Sequence, residues 1–281
     1  MAKILSGRTV ADLHAKRLIT EIKRLHLKPK LVIIQVGDRK ESNTYVGRKK
    51  AFGEKIGAEV LHKRYSESVS EKKIISDISK FNHDRKIHGI MMQLPVTPKL
   101  DARKILDSID PKKDVDGLNS RNTQAIIDKR ETYLPAVTRG VMTLLKHYKI
   151  PLEGKRVVVV GASALVGRPT ALALINRGAT VTICNTKTKN LRSETKQAEI
   201  VVVATGHAHL ITPAHVSRGQ VVIDVGISVD EDRRIHGDVD FKKVSKIVKA
   251  ITPVPGGVGP MTVLSLFENL LQATSSRQRW L

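Results

Sequence analysis

An amine and a phenol lie one helical turn apart in the first third of the sequence. Tyr45 and Lys49 are four residues apart on a predicted helix, so both side chains project from one face. Such a pair can orient a substrate and move protons if burial or neighbouring charges lower the pKa of the lysine. However, the chain has 49 basic residues, and most lysines are solvated surface groups. The spacing alone leaves both interpretations open.

Two further segments place polar groups where predicted elements end. Gln93 follows an apolar strand, and strand ends of open parallel sheets are where ligands bind. Its amide can bond to a neutral lysine or to a substrate carbonyl. Asp114 and Asp116 belong to the segment DVDG, whose carboxylates can bind a metal ion or accept hydrogen bonds from an amino-pyrimidine edge. The sequence has no multi-cysteine or clustered histidine motif that would favour the metal.

A glycine turn lies between a strand of four valines and a helix. Residues 161–167, GASALVG, occupy the position of a pyrophosphate-binding turn, where the helix N-terminus offers unpaired N–H groups. The spacing is not G-x-G-x-x-G, so a tight turn without a ligand is an equal alternative. After the next strand, residues 185–189 read NTKTK and contain no acid to hold a ribose 2′-hydroxyl. This favours NADP over NAD, unless the two lysines merely solvate a loop.

Alternating strand and helix patterns surround these residues. Predicted strands at 31–36, 60–65 and 88–95 alternate with helices capped by Ser42, Ser70 and Asp101. After a helix capped by Thr138, predicted strands follow at 156–160, 179–184, 199–206 and 220–226, and a final helix begins at Met261. The pattern predicts two α/β domains, the second of the Rossmann type. We assign residues 1–135 with 262–281 to the first domain and residues 136–261 to the second.

Composition restricts the class of protein. The chain has 281 residues, of which 41% are hydrophobic, and one cysteine, Cys184, which excludes an intrachain disulfide. It shows neither a run of the ~20 apolar residues that a membrane span needs nor a secretory signal, so we expect a cytoplasmic protein. The net charge of +22 suggests nucleic acid, but the basic residues are dispersed and aromatics are only 3%. Such a diffuse positive field attracts anionic small molecules.

Taken together, these segments resemble the bifunctional methylenetetrahydrofolate dehydrogenase/cyclohydrolase family over nearly the whole chain. One shared segment runs from Asn82 and Asp84 through three apolar residues to QLPV (93–96), and the other is PGGVGPMTV (255–263). Between them the same order of motifs is found: DVDG (114–117), GASALVGRP (161–169), IDVGI (223–227) and GDVDF (237–241). The resemblance implies two α/β domains with a folate and cofactor cleft between them.

The resemblance also implies roles for individual residues. Lys49 corresponds to the general acid/base of the cyclohydrolase step, Gln93 to the group that keeps it reactive, and Tyr45 to a residue that stacks on or orients the folate. Asp116 corresponds to the anchor of the pterin ring. The loop that closes over the folate comprises Pro255, Gly256, Gly257, Gly259 and Pro260. The implied cofactor residues are Gly161, Ala162, Ser163, Val166, Gly167, Arg168, Asn185, Thr186, Lys187, Thr205, Gly206 and Ile227.

The implied activity has two steps in one protein. Methylenetetrahydrofolate is oxidised with NADP, and methenyltetrahydrofolate is hydrolysed to formyltetrahydrofolate; no metal is expected, and the family implies a homodimer. The chain departs from the family at Ala162, where some members have an arginine, and at His207-Ala208, where a proline is missing. Three alternatives remain: a monofunctional dehydrogenase, a cofactor-binding regulator without turnover, and an RNA-binding protein on an enzyme scaffold. Polyglutamylated folate would suit the positive charge.

Overall fold

The chain folds into two α/β units. The computed structural model describes residues 1–230, 232 and 234–278, with side chains up to residue 275 at the C-terminal end. The six-stranded unit comprises Met1–Asp12 and Val137–Thr262, and the three-stranded unit comprises Leu13–Ala136 and the segment from Val263 onward. Both are named here by the size of their main sheet.

Helices account for about half of the described residues outside the strands. They are α1 (Gly7–Arg24), α2 (Lys40–Ile56), α3 (Glu71–His83), α4 (Ala102–Asp107), α5 (Ser120–Ile127), α6 (Ala136–His147), α7 (Gly167–Ile175), α8 (Leu191–Gln197), α9 (Phe241–Val244) and α10 (Val258–Gln278). The predicted final helix thus begins three residues earlier than expected and is longer. Within the described part of the chain, no helix combines the length and apolar character needed to cross a bilayer.

Strands and helices alternate over much of the chain, as the sequence predicts. They are β1 (Lys3–Ile4), β2 (Lys30–Val36), β3 (Glu59–Tyr65), β4 (Gly89–Met92), β5 (Arg156–Val160), β6 (Thr180–Cys184), β7 (Ile200–Val203), β8 (Val221–Asp224), β9 (Ser228–Val229), β10 (Ile235–His236) and β11 (Ala250–Ile251). The mixed α/β class and the parallel sheets of the prediction are confirmed.

In the three-stranded unit, β2 lies between β3 and β4 and is parallel to both. Its residues Leu31 to Ile34 have no exposed surface, as expected for a strand covered on both faces. Leu31 pairs with Val60 on one side and Gly89 on the other, which fixes the register. The next residue after β4, Gln93, donates its backbone N–H to the Ile34 carbonyl at 2.7 Å. The end of the central strand therefore positions Gln93.

Two of the four predicted helix caps are confirmed. Ser70 and Asp101 accept hydrogen bonds from the N–H groups of Lys73 and Lys104. Ser42 was wrongly predicted as a cap, because α2 begins before it and Ser42 is buried within the helix. Thr138 is another error of the same kind. It lies inside α6, and its hydroxyl is 2.9 Å from that of Thr170, a neutral hydrogen bond in a buried site.

In the six-stranded unit the order is β1-β11-β8-β7-β5-β6, with parallel pairing throughout. Residues 1–12, which the sequence pattern assigns to the first domain, belong to the second in the structure. Strand β1 pairs with β11 at the edge of this sheet, so the N-terminus belongs to the six-stranded unit. Both strands are two residues long, too short for a periodic pattern to show them.

Candidate functional site

The three-stranded unit brings Lys49 and Gln93 into direct contact. The amine Nζ of Lys49, on α2, donates to Oε1 of Gln93, at the end of β4, across 2.8 Å. Both residues are only 8% exposed. The Gln93 Nε2 group donates to the Leu94 carbonyl at 2.8 Å, which orients the amide so that its oxygen faces the lysine. An amide oxygen accepts a hydrogen bond from a neutral amine as well as from an ammonium group.

Burial changes the protonation of this amine. It lowers the pKa of Lys49, because the charged form loses its hydration, while the charge of Asp116 acts in the opposite direction. Burial likewise raises the pKa of Asp116, and the charge of Lys49 opposes that shift. Asp116 retains partial surface exposure, whereas Lys49 is nearly enclosed. The pair thus combines an amine that is easily deprotonated with a carboxyl group that is more readily protonated than usual.

Asp114 stabilises the DVDG loop and has a different role from Asp116. It is 1% exposed, and its Oδ2 accepts from the Asn119 N–H at 2.7 Å and from the Asn122 amide at 2.9 Å. Burial raises the pKa of Asp114 to about 7. Asn119 also caps α5, an element that the sequence analysis did not predict. Of the two carboxylates of DVDG, one holds the loop together and the other lies beside the amine.

Two further buried side chains fix this loop and were missed from the sequence. Asn269, fully buried on α10, donates to the Val115 carbonyl at 2.8 Å and to the Leu134 carbonyl at 3.0 Å. Lys113 is 1% exposed, and its amine donates to the carbonyls of Phe81 and Asp84, each at 2.7 Å. The available signal was a lone asparagine in the apolar stretch of a helix, where a polar side chain requires a partner.

Tyr45 lies one turn before Lys49 on α2 and is half-buried. The Arg48 guanidinium is 5.8 Å from the centre of its ring, within the range of a cation–π contact. The part of its ring that remains accessible can take a stacking partner. Its position on the helix agrees with the spacing argument, and its role stays a prediction.

In the six-stranded unit, the predicted cofactor residues follow four neighbouring strands. The glycine turn follows β5, Asn185 to Lys187 follow β6, Thr205 and Gly206 follow β7, and Ile227 follows β8. In the sheet these strands are adjacent in the order β8-β7-β5-β6. Since they are parallel, their carboxyl ends form one edge, which is where dinucleotides bind in open α/β sheets.

Close backbone packing explains the glycines of the β5–α7 turn. Gly161 has a φ of +114°, and a Cβ there would lie 2.2 Å from the Ala204 carbonyl oxygen. A Cβ at Gly167 would lie 1.9 Å from the Gly161 carbonyl oxygen. The sequence predicts unpaired N–H groups at the start of the helix. In fact, the Ser163 hydroxyl accepts from the N–H groups of Val166 and Gly167 at 3.2 and 3.3 Å.

Polar side chains near this turn remain available to an anion. Ser163 and Arg168 are exposed, as are Asn185, Thr186 and Lys187 beyond β6. Asn185 forms a tight turn, in which its Oδ1 accepts from the Lys187 N–H at 2.8 Å. The turn after β6, residues 185–189, contains hydroxyl, amide and ammonium groups and no carboxylate. These residues fit a phosphorylated dinucleotide.

The proline–glycine loop is built against the N-terminal segment. The Arg8 N–H donates to the Gly256 carbonyl at 3.0 Å, and a Cβ at Gly7 would lie 1.9 Å from the Gly257 carbonyl oxygen. Gly257 in turn packs on the main chain of Pro253. Both segments belong to the six-stranded unit. Pro255, Gly256 and Gly257 thus form a closely packed turn in which Gly257 is buried, whereas Gly259 and Pro260, predicted to belong to the same loop, lie in the first turn of α10.

Among the described residues, no three histidine, cysteine or carboxylate side chains come together in a way that could hold a metal ion. The two units therefore present different chemistry. One carries a Rossmann-type parallel sheet with a polar edge, and the other holds a buried amine that donates to an amide and interacts electrostatically with a carboxyl group. Together they define an enzyme of the dinucleotide-dependent oxidoreductase class with an additional acid–base site.

Comparison with known proteins gives the family. Residues 5–116 match the catalytic domain of tetrahydrofolate dehydrogenase/cyclohydrolase, and residues 135–278 match the NAD(P)-binding domain of the same family. The chain belongs to the tetrahydrofolate dehydrogenase/cyclohydrolase family. The resemblance stated from the sequence motifs is thereby confirmed, as is the bifunctional dehydrogenase and cyclohydrolase function at the level of the family.

Individual relatives match nearly the whole chain. The bifunctional protein FolD of Nautilia profundicola is 42% identical over 276 residues, which are 97% of each chain. The crystal structure of the bifunctional FolD enzyme of Campylobacter jejuni has a TM-score of 0.96 at 40% identity and covers 99% of this chain and 100% of that one. The Trypanosoma brucei enzyme, solved with NADP cofactor and inhibitor, has a TM-score of 0.95 at 33% identity, covering 99% of both.

The glycine turn supplies a test with a matched control. We expect Gly161→Ala to lose binding of the dinucleotide and to lower the thermal midpoint strongly, because the new Cβ meets the Ala204 carbonyl. Gly154 also has a positive φ, of +69°, but nothing lies within 4 Å of its Cβ position. Gly154→Ala should therefore cost only about 1–2 kcal/mol of backbone strain and leave binding intact. Calorimetric titration with NADPH and thermal melts measure both quantities. Equal loss of binding in the two variants would contradict this role for the turn.

Proposed function

We propose that this protein oxidises 5,10-methylenetetrahydrofolate to 5,10-methenyltetrahydrofolate with NADP and then hydrolyses the product to 10-formyltetrahydrofolate. The observation that carries the proposal is the buried Lys49–Gln93 hydrogen bond of 2.8 Å beside Asp116. Family membership supports both activities. A dehydrogenase alone would have no use for a buried amine with a depressed pKa.

The oxidation step depends on positioning. When bound, the nicotinamide ring supplies the hydride acceptor. The protein's contribution is to hold donor and acceptor in register, since the nitrogens of the folate stabilise the cation that forms and no protein base is required. The edge formed by β5, β6, β7 and β8 would hold the dinucleotide through the turns that follow these strands. Asp116 would accept hydrogen bonds from the amino-pyrimidine edge of the pterin, and Tyr45 would stack on the folate.

The hydrolysis step uses the amine. Water adds to the methenyl carbon, and a base must take a proton from that water. Burial lowers the pKa of Lys49, which raises the fraction of the amine that is neutral above that of an exposed lysine, and the lone pair of the neutral amine can accept the proton at Nζ. Gln93 supports this state because its amide oxygen orients the amine without adding a negative charge. The proton held on Lys49 would then pass to N5 as the bond between N5 and the former methenyl carbon breaks, and the added hydroxyl group would release its proton to water as it becomes the formyl carbonyl.

Removing the amine should separate the two activities. We expect Lys49→Ala to reduce hydrolysis of methenyltetrahydrofolate by roughly 10²–10⁴-fold, the usual contribution of general acid–base catalysis. Oxidation of methylenetetrahydrofolate should fall far less, because that step needs no base. Absorbance assays of each half-reaction, with NADP omitted from the hydrolysis assay, give the two rates.

The neighbouring residue provides the control. Lys50 is the next residue of α2 and is exposed, so Lys50→Ala should leave both rates unchanged. Lys49→Met, which keeps most of the aliphatic side chain, separates lost chemistry from lost packing. Equal loss of both activities in Lys49→Met would contradict the assignment of Lys49 to hydrolysis.

We propose NADP rather than NAD as the cofactor. Support comes from the turn after β6, where exposed Thr186 and Lys187 lie in the position at which NAD enzymes use an acid for the ribose 2′-hydroxyl. A 2′-phosphate would be repelled by that acid and attracted by an ammonium group. The cofactor complex of the Trypanosoma brucei relative contains NADP.

The proposal also includes a cytoplasmic homodimer. Given the charge of +22, it includes polyglutamylated folate as a substrate.

The 2′-phosphate interaction can be tested by charge removal. We expect Lys187→Ala to raise the KM for NADP by roughly tenfold, the effect of one charge-assisted hydrogen bond of about 1.4 kcal/mol, and to leave the KM for NAD unchanged. Lys196→Ala removes an exposed lysine of the nearby helix α8 and should change neither KM. A parallel rise of both KM values in Lys187→Ala would show that the lysine does not select the phosphate.

A further inference from the structure

Two buried carboxylates in the six-stranded unit are not used by the chemistry described above. Asp238, with no exposed surface, lies in the loop after β10. Asp224, 2% exposed, is the last residue of β8. Burying a carboxylate costs free energy unless hydrogen bonds replace its hydration. The contacts of these two groups therefore show which part of the molecule they stabilise.

Asp238 holds the turn that follows β7. Its Oδ2 accepts three hydrogen bonds from that turn: from the Thr205 N–H at 2.6 Å, the Thr205 hydroxyl at 2.8 Å and the Gly206 N–H at 3.0 Å. The Thr205 hydroxyl also accepts from the His207 N–H at 3.2 Å. One carboxylate oxygen thus fixes both the main chain and the side chain of the turn.

Asp224 holds the segment that carries Asp238. Its Oδ1 accepts from the Asp238 N–H at 3.1 Å and from the Gly226 N–H at 3.1 Å, and its Oδ2 accepts from the Val239 N–H at 3.0 Å. Burial, with a smaller effect from the nearby charge of Asp238, raises the pKa of Asp224 to about 7. The chain of contacts runs from the end of β8 through Asp238 to the end of β7.

Two glycines leave space for these carboxylates. A Cβ at Gly226 would lie 1.9 Å from Cγ of Asp238, and a Cβ at Gly237 would lie 2.0 Å from Oδ2 of Asp224. Neither glycine has a φ that requires glycine, so their role is to give room. The motifs IDVGI and GDVDF thus form one assembly, in which each glycine accommodates the aspartate of the other motif.

The turn held in this way is surface and not core. Gly206 is exposed, and nothing lies within 4 Å of its Cβ position. The turn contributes little apolar burial to the stability of the fold. Burying two carboxylates to hold it costs free energy, which is understandable if its conformation matters for binding. It follows β7, between the turns after β5 and β8, at the edge of the sheet where the dinucleotide would bind.

We propose that Asp238 is a positioning residue for the dinucleotide: it sets the conformation of the Thr205–Gly206 turn, and Asp224 sets Asp238. The inference rests on the proposed use of a nicotinamide dinucleotide. Asp238 itself, being fully buried, acts on the cofactor through the turn. The inferred role is limited to cofactor binding, because Lys49 and Gln93 of the hydrolysis step belong to the other unit.

The experiment compares binding and two activities in three variants. Asp238→Ala removes the acceptor, and Asp238→Asn keeps one acceptor oxygen and the side-chain shape. Asp240→Ala is the matched control: Asp240 lies two residues further along the same segment and caps α9 by accepting from the Lys243 N–H at 3.3 Å. For each variant, calorimetric titration gives the Kd for NADPH, and cofactor-free hydrolysis of methenyltetrahydrofolate reports on the other unit.

We expect Asp238→Ala to raise the NADPH Kd and the KM for NADP by roughly tenfold or more, since misplacing a ligand-contacting turn by about 1 Å weakens its contacts. Hydrolysis should stay within about twofold of the wild-type rate, and Asp238→Asn should show a smaller loss of affinity. Asp240→Ala should lower the thermal midpoint without changing the Kd.

Three outcomes would overturn the inference: an unchanged Kd in Asp238→Ala, a Kd change in Asp240→Ala as large as that in Asp238→Ala, or a loss of hydrolysis that matches the loss of affinity. If Asp238→Ala does not fold, an unchanged Kd in Asp238→Asn with a lowered thermal midpoint would also overturn it. A wild-type protein that fails to reduce NADP with methylenetetrahydrofolate would refute the proposed function, which this comparison distinguishes from failure of the inference.

Discussion

The hydrogen bond between Lys49 and Gln93 is the interaction on which the chemistry depends. An amine 8% exposed on a helix would ordinarily be stabilised by a carboxylate in contact with it. Here the hydrogen-bond acceptor is a neutral amide, and the nearby carboxyl group, Asp116, is itself shifted toward its protonated form by burial. The desolvation of the amine is therefore only partly offset. The protein maintains a lysine in a state in which it gives up its proton more easily than in water.

Holding that amine requires much of the three-stranded unit. The buried strand β2 positions Gln93 through the Ile34 carbonyl. Asp116 is positioned by a loop that Asp114, Lys113 and Asn269 fix from within. In the six-stranded unit the same principle recurs, with Asp224 and Asp238 holding the turn after β7. In both units, buried polar side chains bond to main-chain groups of surface loops, and those loops carry the residues with which we associate ligands.

Much of the fold was predictable, because long elements carry periodic patterns. The strand 31–36 and the Rossmann strands were found from their apolar runs, and Ser70 and Asp101 from their position before helical segments. The cap predictions for Ser42 and Thr138 are wrong because a hydroxyl residue in the first turn of a helix cannot be told by sequence from one at the N-cap. Strands β1 and β11 were missed because each has two residues. Within the site, helical spacing predicts that Tyr45 and Lys49 share a face. Gln93 is 44 residues from Lys49 in sequence, so spacing does not predict that the two side chains form a hydrogen bond. The same is true of Asn269, which contacts the DVDG loop from another element.

The central claim, that burial depresses the pKa of Lys49, can be measured directly in the free protein. In protein labelled with ¹³C at lysine Cε, the chemical shift of Lys49, assigned by its loss in Lys49→Met, is followed against pH. The account predicts a midpoint below the ordinary lysine value of 10.5 and a further decrease in Asp116→Asn, because that carboxylate's charge raises the pKa. A midpoint at or above 10.5, or no change in Asp116→Asn, would contradict it.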